Sequence, residues 1–175
     1  MCSKKKGAIK MKSKKFTLAL FIFYCLVLTW IIIFKVQFSF EDLPHFRSLN
    51  LIPFSESAIV NDKMNFDEII QNMLVFIPFG IFMRVLLEEK TLLKQFIPII
   101  FTSLLFEGIQ YIFAIGASDI TDVISNSFGG IIGIAIALVL SKITRKNWIT
   151  LINAISLVGG ITLTLLTVIL LLANM

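Results

Sequence analysis

Apolar residues fall into long uninterrupted runs, with little of the period-2 or period-3.6 alternation of soluble strands and helices. Five such runs cover residues 16–34, 69–87, 96–115, 123–140 and 150–173. About 20 apolar residues, rising about 1.5 Å each, span roughly 30 Å of hydrocarbon. The pattern predicts an all-α, polytopic membrane helix bundle with about five transmembrane helices.

Composition agrees with this interpretation and excludes an ordinary soluble domain. Of the 175 residues 57% are hydrophobic and 15% charged, and the mean hydropathy is +0.92. The net charge of +5 does not indicate nucleic-acid binding, because thirteen Lys and Arg residues fall on one side of the predicted topology and three on the other. The positive-inside rule therefore predicts a cytoplasmic N-terminus in a multi-pass protein of the cell membrane.

The same topology divides the chain into three parts. Residues 1–15 are predicted to form a basic cytoplasmic tail, and 16–142 a four-helix membrane domain with an outer loop at 35–68. Residues 143–175 add a C-terminal transmembrane helix. The two cysteines fit neither a disulfide framework nor a metal set, so we predict no cofactor and no metal.

Polar residues interrupt the third run and the segment after it. Glu107 has about ten apolar residues on either side, and a carboxylate at membrane depth costs roughly 2.5–3.5 kcal/mol. Gln110 follows at i+3 on the same helix face. In the turn that comes next, Gly116 suits a helix C-cap.

The fourth run opens with a polar stripe. Asp119, Asp122 and Asn126 are spaced i, i+3 and i+7, which places them on one helix face. Capping explains one of the two aspartates, but not both together with Asn126. The stripe continues into the small residues Gly129, Gly130 and Gly133, which permit close helix packing.

The second run carries Asn72 near its start, and then Pro78 and Gly80. Pro78 cannot donate a backbone hydrogen bond and should kink the helix. The predicted topology places Asn72 and the polar residues singled out above in the outer half of the membrane. We predict that they form one polar cluster: Asn72, Glu107, Gln110, Asp119, Asp122 and Asn126. Arg47, on the outer loop, is the basic candidate to pair with Glu107.

These residues resemble a known family. The run Asn50-Leu-Ile-Pro53-Phe54 resembles the Asn-Leu-x-Pro-Phe run of VanZ-like membrane proteins, and Asn72 to Gly80 resembles their Asn-x-x-x-Phe-x-Pro-x-Gly helix. The segment from Glu107 to Gly133 resembles their third and fourth helices, although Ala117 stands where many members have Arg. The resemblance covers roughly residues 47–137. It implies a multi-pass bacterial membrane protein related to one associated with resistance to teicoplanin-type glycopeptides. The residues that we predict to support the cluster are Arg47, Asn50, Pro53, Pro78, Gly80, Gly129, Gly130 and Gly133.

Several functions remain open at this point. The leading hypothesis is a binding or interaction protein in the cell envelope, with membrane lipids and a cell-wall precursor or glycopeptide as candidate partners. An intramembrane enzyme acting on envelope lipids through Glu107 and Asp122 is the alternative, but no His pair and no Gly-x-Ser-x-Gly elbow supports it. Five spans without a duplicated half argue against a transporter. A purely structural polar core is also open, as is the oligomeric state.

Overall fold

The computed structural model describes residues 13–34, 46–54, 59–60, 63–64 and 66–173. Most of the predicted tail 1–15 and part of the predicted loop 35–68 lie outside the described residues. Within them the chain forms five α-helices: α1 Lys14–Ile33, α2 Phe66–Leu86, α3 Leu92–Phe113, α4 Ile120–Thr144 and α5 Trp148–Ala173.

The predicted all-α membrane bundle is confirmed. Four helical stretches are long and apolar enough to cross a membrane, and the last of them, Ile120–Ile169, covers α4 and most of α5. Only a short 3-10 turn, Arg145–Asn147, separates these two helices. Thr17 of α1 donates a hydrogen bond to Asn153 of α5 at 3.0 Å, and Gly160 of α5 packs near Phe23 of α1. Helices α1 and α5 therefore run in the same direction.

Four short strands were not predicted. They are β1 Phe46–Asn50, β2 Ile59–Val60, β3 Lys63–Met64 and β4 Ile115–Asp119. β1 pairs with β4 in parallel, and β2 pairs with β3 antiparallel. We call the end of the bundle that carries β1 and β4 the strand end.

The C-cap predicted at Gly116 is wrong. Helix α3 ends with Ala114 in the left-handed conformation, and the Ala114 N–H caps carbonyls of the last turn. Gly116 lies inside β4, opposite Arg47 of β1. The chain leaves the helix two residues earlier than predicted because its next five residues pair with β1.

At the opposite end of the bundle, short polar contacts join the helix termini. Lys14 forms ion pairs with Glu88 at 3.5 Å and Glu89 at 3.8 Å. The buried Gln95 side chain donates to the carbonyls of Leu87 and Lys90 at 3.0 and 2.9 Å. These bonds tie the start of α3 to the turn that follows α2.

Helices α2 and α4 meet through four glycines, Gly80, Gly129, Gly130 and Gly133, which we call the glycine crossing. A Cβ atom at Gly129 would overlap the Met73 carbonyl, and one at Gly133 would overlap the Ile77 carbonyl. The two helices run parallel and touch backbone to backbone. Glycine permits this contact, because a larger residue at these positions would hold the helices apart. The half-buried Pro78 lies in α2 beside this contact, and the Tyr24 hydroxyl of α1 donates to the nearby Val75 carbonyl.

Candidate functional site

The Glu107 carboxylate lies inside the bundle, close to the strand end. Its side chain is 8% exposed, and Oε2 accepts a hydrogen bond from the Asp119 backbone N–H at 2.8 Å. The Ser118 hydroxyl donates to the Glu107 carbonyl at 2.6 Å. Strand β4 turns back across the end of α3, so residues more than ten positions later in the chain cover Glu107. The carboxylate is therefore directed at β4 and the start of α4.

Asp119 links the start of α4 to strand β1. Its Oδ1 accepts from the Thr121 N–H at 2.7 Å, which caps α4, and its Oδ2 accepts from the Asn50 amide at 3.1 Å. Asn50 also accepts from the Ile52 N–H at 3.1 Å. The Phe54 N–H donates to the Thr121 hydroxyl at 3.1 Å. The exposed turn that contains Pro53 is thus tied at both sides to the first turn of α4.

Two further polar contacts lie on either side of Glu107 along α3. One turn deeper, the Asn126 amide of α4 donates to the Ser103 hydroxyl at 2.9 Å, with both side chains buried. Nearer the strand end, the Gln110 amide donates to the Ile32 carbonyl of α1 at 3.2 Å. The oxygens Asn126 Oδ1 and Gln110 Oε1 have no hydrogen-bond partner within the described residues.

The other members of the predicted cluster lie apart from this arrangement or at its edge. Asp122 is half-buried and close enough to Glu107 to repel it electrostatically, as is Glu68 at the start of α2. Asn72 is half-buried and forms no side-chain hydrogen bond to the described part of the chain. Its neighbour Met73 packs against the glycine crossing, so Asn72 lies deeper than Glu107. The structure brings Glu107, Asp119 and Asn50 into direct contact, but not Asn72.

Arg47 does not pair with Glu107 as expected from the sequence. Its guanidinium donates to the Ile112 carbonyl at 3.0 Å and lies 5.1 Å from the centre of the Tyr111 ring. Strand pairing fixes this position, because Arg47 lies opposite Gly116 in the β1–β4 register. Within the described residues, no basic side chain lies within 4 Å of the Glu107 carboxylate.

A cavity of about 260 Å³ opens beside Glu107 and Asp119. Most of its lining is apolar, and it receives side chains from β1, the residue that follows β1, α3 and α4: Leu49, Leu51, Leu104, Tyr111, Ile120 and Val123. Gly108 also lines it, and a Cβ atom there would meet no atom within 4 Å. The four residues of the glycine crossing do not line this cavity; they join α4, which contributes to its lining, to α2, which does not.

Several residues of the site were missed from the sequence. Ser103 precedes Glu107 by four residues, and this spacing alone places both on one face of α3. Thr121 lies in the first turn of α4, where hydroxyls commonly satisfy backbone groups. The role of Glu68 had no local signal, because its effect on Glu107 depends on how α2 packs beside α3.

The chemistry available here is hydrogen-bond acceptance and attraction of positive charge. Two carboxylates, Glu107 and Asp119, line an apolar cavity, with Asp122 and Glu68 adding negative potential. In the described ranges, no three His, Cys, Asp or Glu side chains are placed to share a metal ion. A cationic or hydrogen-bond-donating ligand group suits this environment.

Comparisons with known proteins agree with the resemblance found in the motifs. The family model described as VanZ/LLP1 matches residues 21–141. The chain is 41% identical over 147 residues to Protein VanZ of Enterococcus faecium, and the match covers 83% of this chain and 86% of that protein. No solved structure matches it.

Proposed function

This chain belongs to the VanZ/LLP1 family, and from that premise we propose that it acts at the outer face of the cell membrane as a binding protein. In this proposal the site around Glu107 engages the headgroup of a cell-envelope component, such as a cell-wall precursor. The consequence is reduced susceptibility of the cell to teicoplanin-type glycopeptides. The protein itself is a multi-pass membrane protein with four helical stretches suited to cross the bilayer.

One observation carries the proposal: the buried Glu107 carboxylate lines an open cavity with no cation of the described chain beside it. A carboxylate that only joined helices would be enclosed by its partners. Glu107 instead accepts a backbone N–H on one side and adjoins open space on the other. Such an acid at the end of a membrane bundle is suited to a ligand that arrives from outside.

The distribution of charge supports an external strand end. Basic residues of the described chain concentrate at the opposite end, at the start of α1, the α2–α3 turn and the end of α4: Lys14, Lys15, Arg84, Lys90, Lys94, Lys142, Arg145 and Lys146. The described part of the strand end carries Arg47 and Lys63. Under the positive-inside rule the opposite end faces the cytoplasm.

The experiment compares a deletion strain with strains that re-express the wild type, Glu107→Gln, Asp122→Ala or the control Glu89→Gln. Glu89 is an acid whose side chain is 88% exposed at the opposite end, so its replacement leaves the site intact. We expect deletion to lower the inhibitory concentration of teicoplanin at least fourfold. Wild type and Glu89→Gln should restore it, whereas Glu107→Gln and Asp122→Ala should not. Vancomycin is measured in parallel, and membrane protein levels are quantified for every strain.

The remaining outcomes separate the alternatives. Unchanged teicoplanin susceptibility after deletion contradicts the proposal. If Glu107→Gln restores the teicoplanin inhibitory concentration less than the wild type only in proportion to its lower protein level, the polar residues have a structural role. If purified wild type converts an envelope lipid and both acid variants do not, the protein is an enzyme; the proximity of Asp122 to Glu107 is what favours that alternative.

A further inference from the structure

We infer that the cavity beside Glu107 binds a membrane lipid whose short headgroup carries a phosphate and a protonated amine. This inference names a ligand class for the same site, and so it rests on the proposed function. In this arrangement the amine contacts Glu107 and Asp119, the phosphate contacts Arg47, and an apolar chain follows the α3 face of the cavity. The amine and the apolar chain correspond to residues that line the cavity, and the phosphate to Arg47 beside it.

The apolar chain is indicated by the lining of the cavity and by where it opens. Leu104 is 50% exposed and Leu49 is 53% exposed, so the cavity is bordered by side chains that face the surroundings of the bundle. Gly108 leaves space on the α3 face where any larger side chain would stand. Because the surroundings of a membrane helix are hydrocarbon, an acyl chain can reach this space sideways from the bilayer.

The protonated amine is indicated by charge complementarity. Glu107 and Asp119 line the cavity, and Asp122 and Glu68 add negative potential around Glu107. No basic side chain of the described chain lies within 4 Å of Glu107 or Asp119. Buried acidic groups are stabilised by a partner that brings both positive charge and N–H donors, and an ammonium group supplies both.

The phosphate is indicated by Arg47. Its guanidinium lies over Tyr111, which itself lines the cavity, and its hydrogen bond to the Ile112 carbonyl uses one of its five N–H donors. The remaining donors suit the bidentate geometry of a phosphate. Tyr111 follows Glu107 by one turn of α3, which is about 6 Å along the helix axis. A compact headgroup can therefore reach both the cation and the acids.

The test measures lipid binding to the purified full-length protein in detergent by native mass spectrometry. The probes are phosphatidylethanolamine, its N-acetylated derivative and phosphatidylglycerol, all with the same acyl chains. We expect phosphatidylethanolamine to bind at least tenfold more tightly than either of the other two, because only it keeps both phosphate and amine. Equal binding of all three lipids would overturn the inference.

Two glycine substitutions locate the binding. Gly108→Leu fills the cavity from α3, whereas the control Gly159→Leu adds the same atoms on α5, at a position that also has no atom within 4 Å of its Cβ. Gly108→Leu should weaken phosphatidylethanolamine binding at least tenfold, and Gly159→Leu should leave it unchanged. Equal binding by both variants would place the lipid elsewhere and overturn the inference.

Two polar substitutions test which residue contacts the amine and which contacts the phosphate. Glu107→Gln should reduce the preference for phosphatidylethanolamine over its N-acetylated form. Arg47→Gln should weaken all three lipids while keeping that preference. If neither variant changes the preference or the affinity, the headgroup is not recognised here and the inference fails.

This inference and the proposed function can fail separately. The lipid site stands if the protein binds phosphatidylethanolamine selectively and Gly108→Leu removes that binding. If deletion then leaves teicoplanin susceptibility unchanged, the proposed role in glycopeptide susceptibility is wrong. If deletion raises teicoplanin susceptibility but the purified protein does not distinguish the three lipids, the proposed function stands and this ligand class is excluded.

Discussion

The glycine crossing and the strand end hold α4 to its neighbours by different means. At the crossing, α2 and α4 meet backbone to backbone, and the glycines leave no space for a side-chain atom. At the strand end, β4 and the start of α4 are held by directed hydrogen bonds among Asn50, Glu107 and Asp119. The first contact depends on the absence of atoms, and the second on the presence of specific donors and acceptors.

This difference predicts different tolerance to substitution. A close-packed backbone contact has no way to accommodate added volume, so it is sensitive to any larger residue. A hydrogen-bonded contact tolerates an isosteric change that keeps donors and acceptors, and it is weakened when one partner is removed. The strand end also has an open cavity, so some of its side chains can change without steric cost.

The largest expected effect is at the crossing. Gly133→Val should lower the free energy of unfolding by about 3 kcal/mol, because its side chain meets the Ile77 carbonyl and the Gly80 backbone. Thermal unfolding in detergent, followed by tryptophan fluorescence, measures the effect. The matched control is Gly108→Val, where the added atoms enter open space. Equal midpoint temperatures of unfolding for the two variants would show that the crossing is not close-packed.

Removing the central acceptor of the strand end should have a smaller effect. Asp119→Ala loses the cap of α4 and the bond from Asn50, which together contribute about 2 kcal/mol. Asp119→Asn keeps a capping oxygen and should cost less than half as much. Chemical denaturation of both variants measures this. An equally small change for both would mean that the strand end is held by its apolar contacts instead.

An intermediate contact lies between the two regions. Asn126 and Ser103 are buried between Glu107 and the crossing, and their hydrogen bond joins α4 to α3. A double-mutant cycle with Asn126→Ala and Ser103→Ala should give a coupling energy of about 0.6–1.7 kcal/mol. Additive single effects would show that the bond contributes nothing beyond packing.

The smallest effect is expected at the opposite end. Lys14→Ala removes the ion pairs with Glu88 and Glu89, which are solvent-accessible. Such pairs are screened, so the change in unfolding free energy should be below about 0.5 kcal/mol and should vanish at high salt. A larger, salt-independent loss would indicate that Lys14 packs as well as pairs.

The sequence predicted much of the bundle and part of the site. The long apolar runs gave the helices, with ends that differ by a few residues from those observed. The depth of Glu107 marked it as unusual, and the capping pattern pointed to Asp119. The small residues of α4 were predicted to pack closely, and they do so against Gly80 and the α2 backbone.

Other parts of the site could not be predicted, because they depend on contacts between distant segments. Strand β1 pairs with β4, almost seventy residues later, and neither segment has a strong strand pattern of its own. That pairing moved the end of α3 from Gly116 to Ala114 and carried Arg47 to Tyr111 and Ile112, away from Glu107.

The sequence alone determined that this chain forms membrane helices and that an acid lies within one of them. Both are local properties, because transfer of a segment into hydrocarbon depends on its own residues. Only the tertiary structure decided that Glu107 binds the Asp119 N–H beside an open cavity. The reason is that a hydrogen bond needs its two atoms within about 3 Å, and for residues on separate segments that distance is set by helix packing and strand pairing.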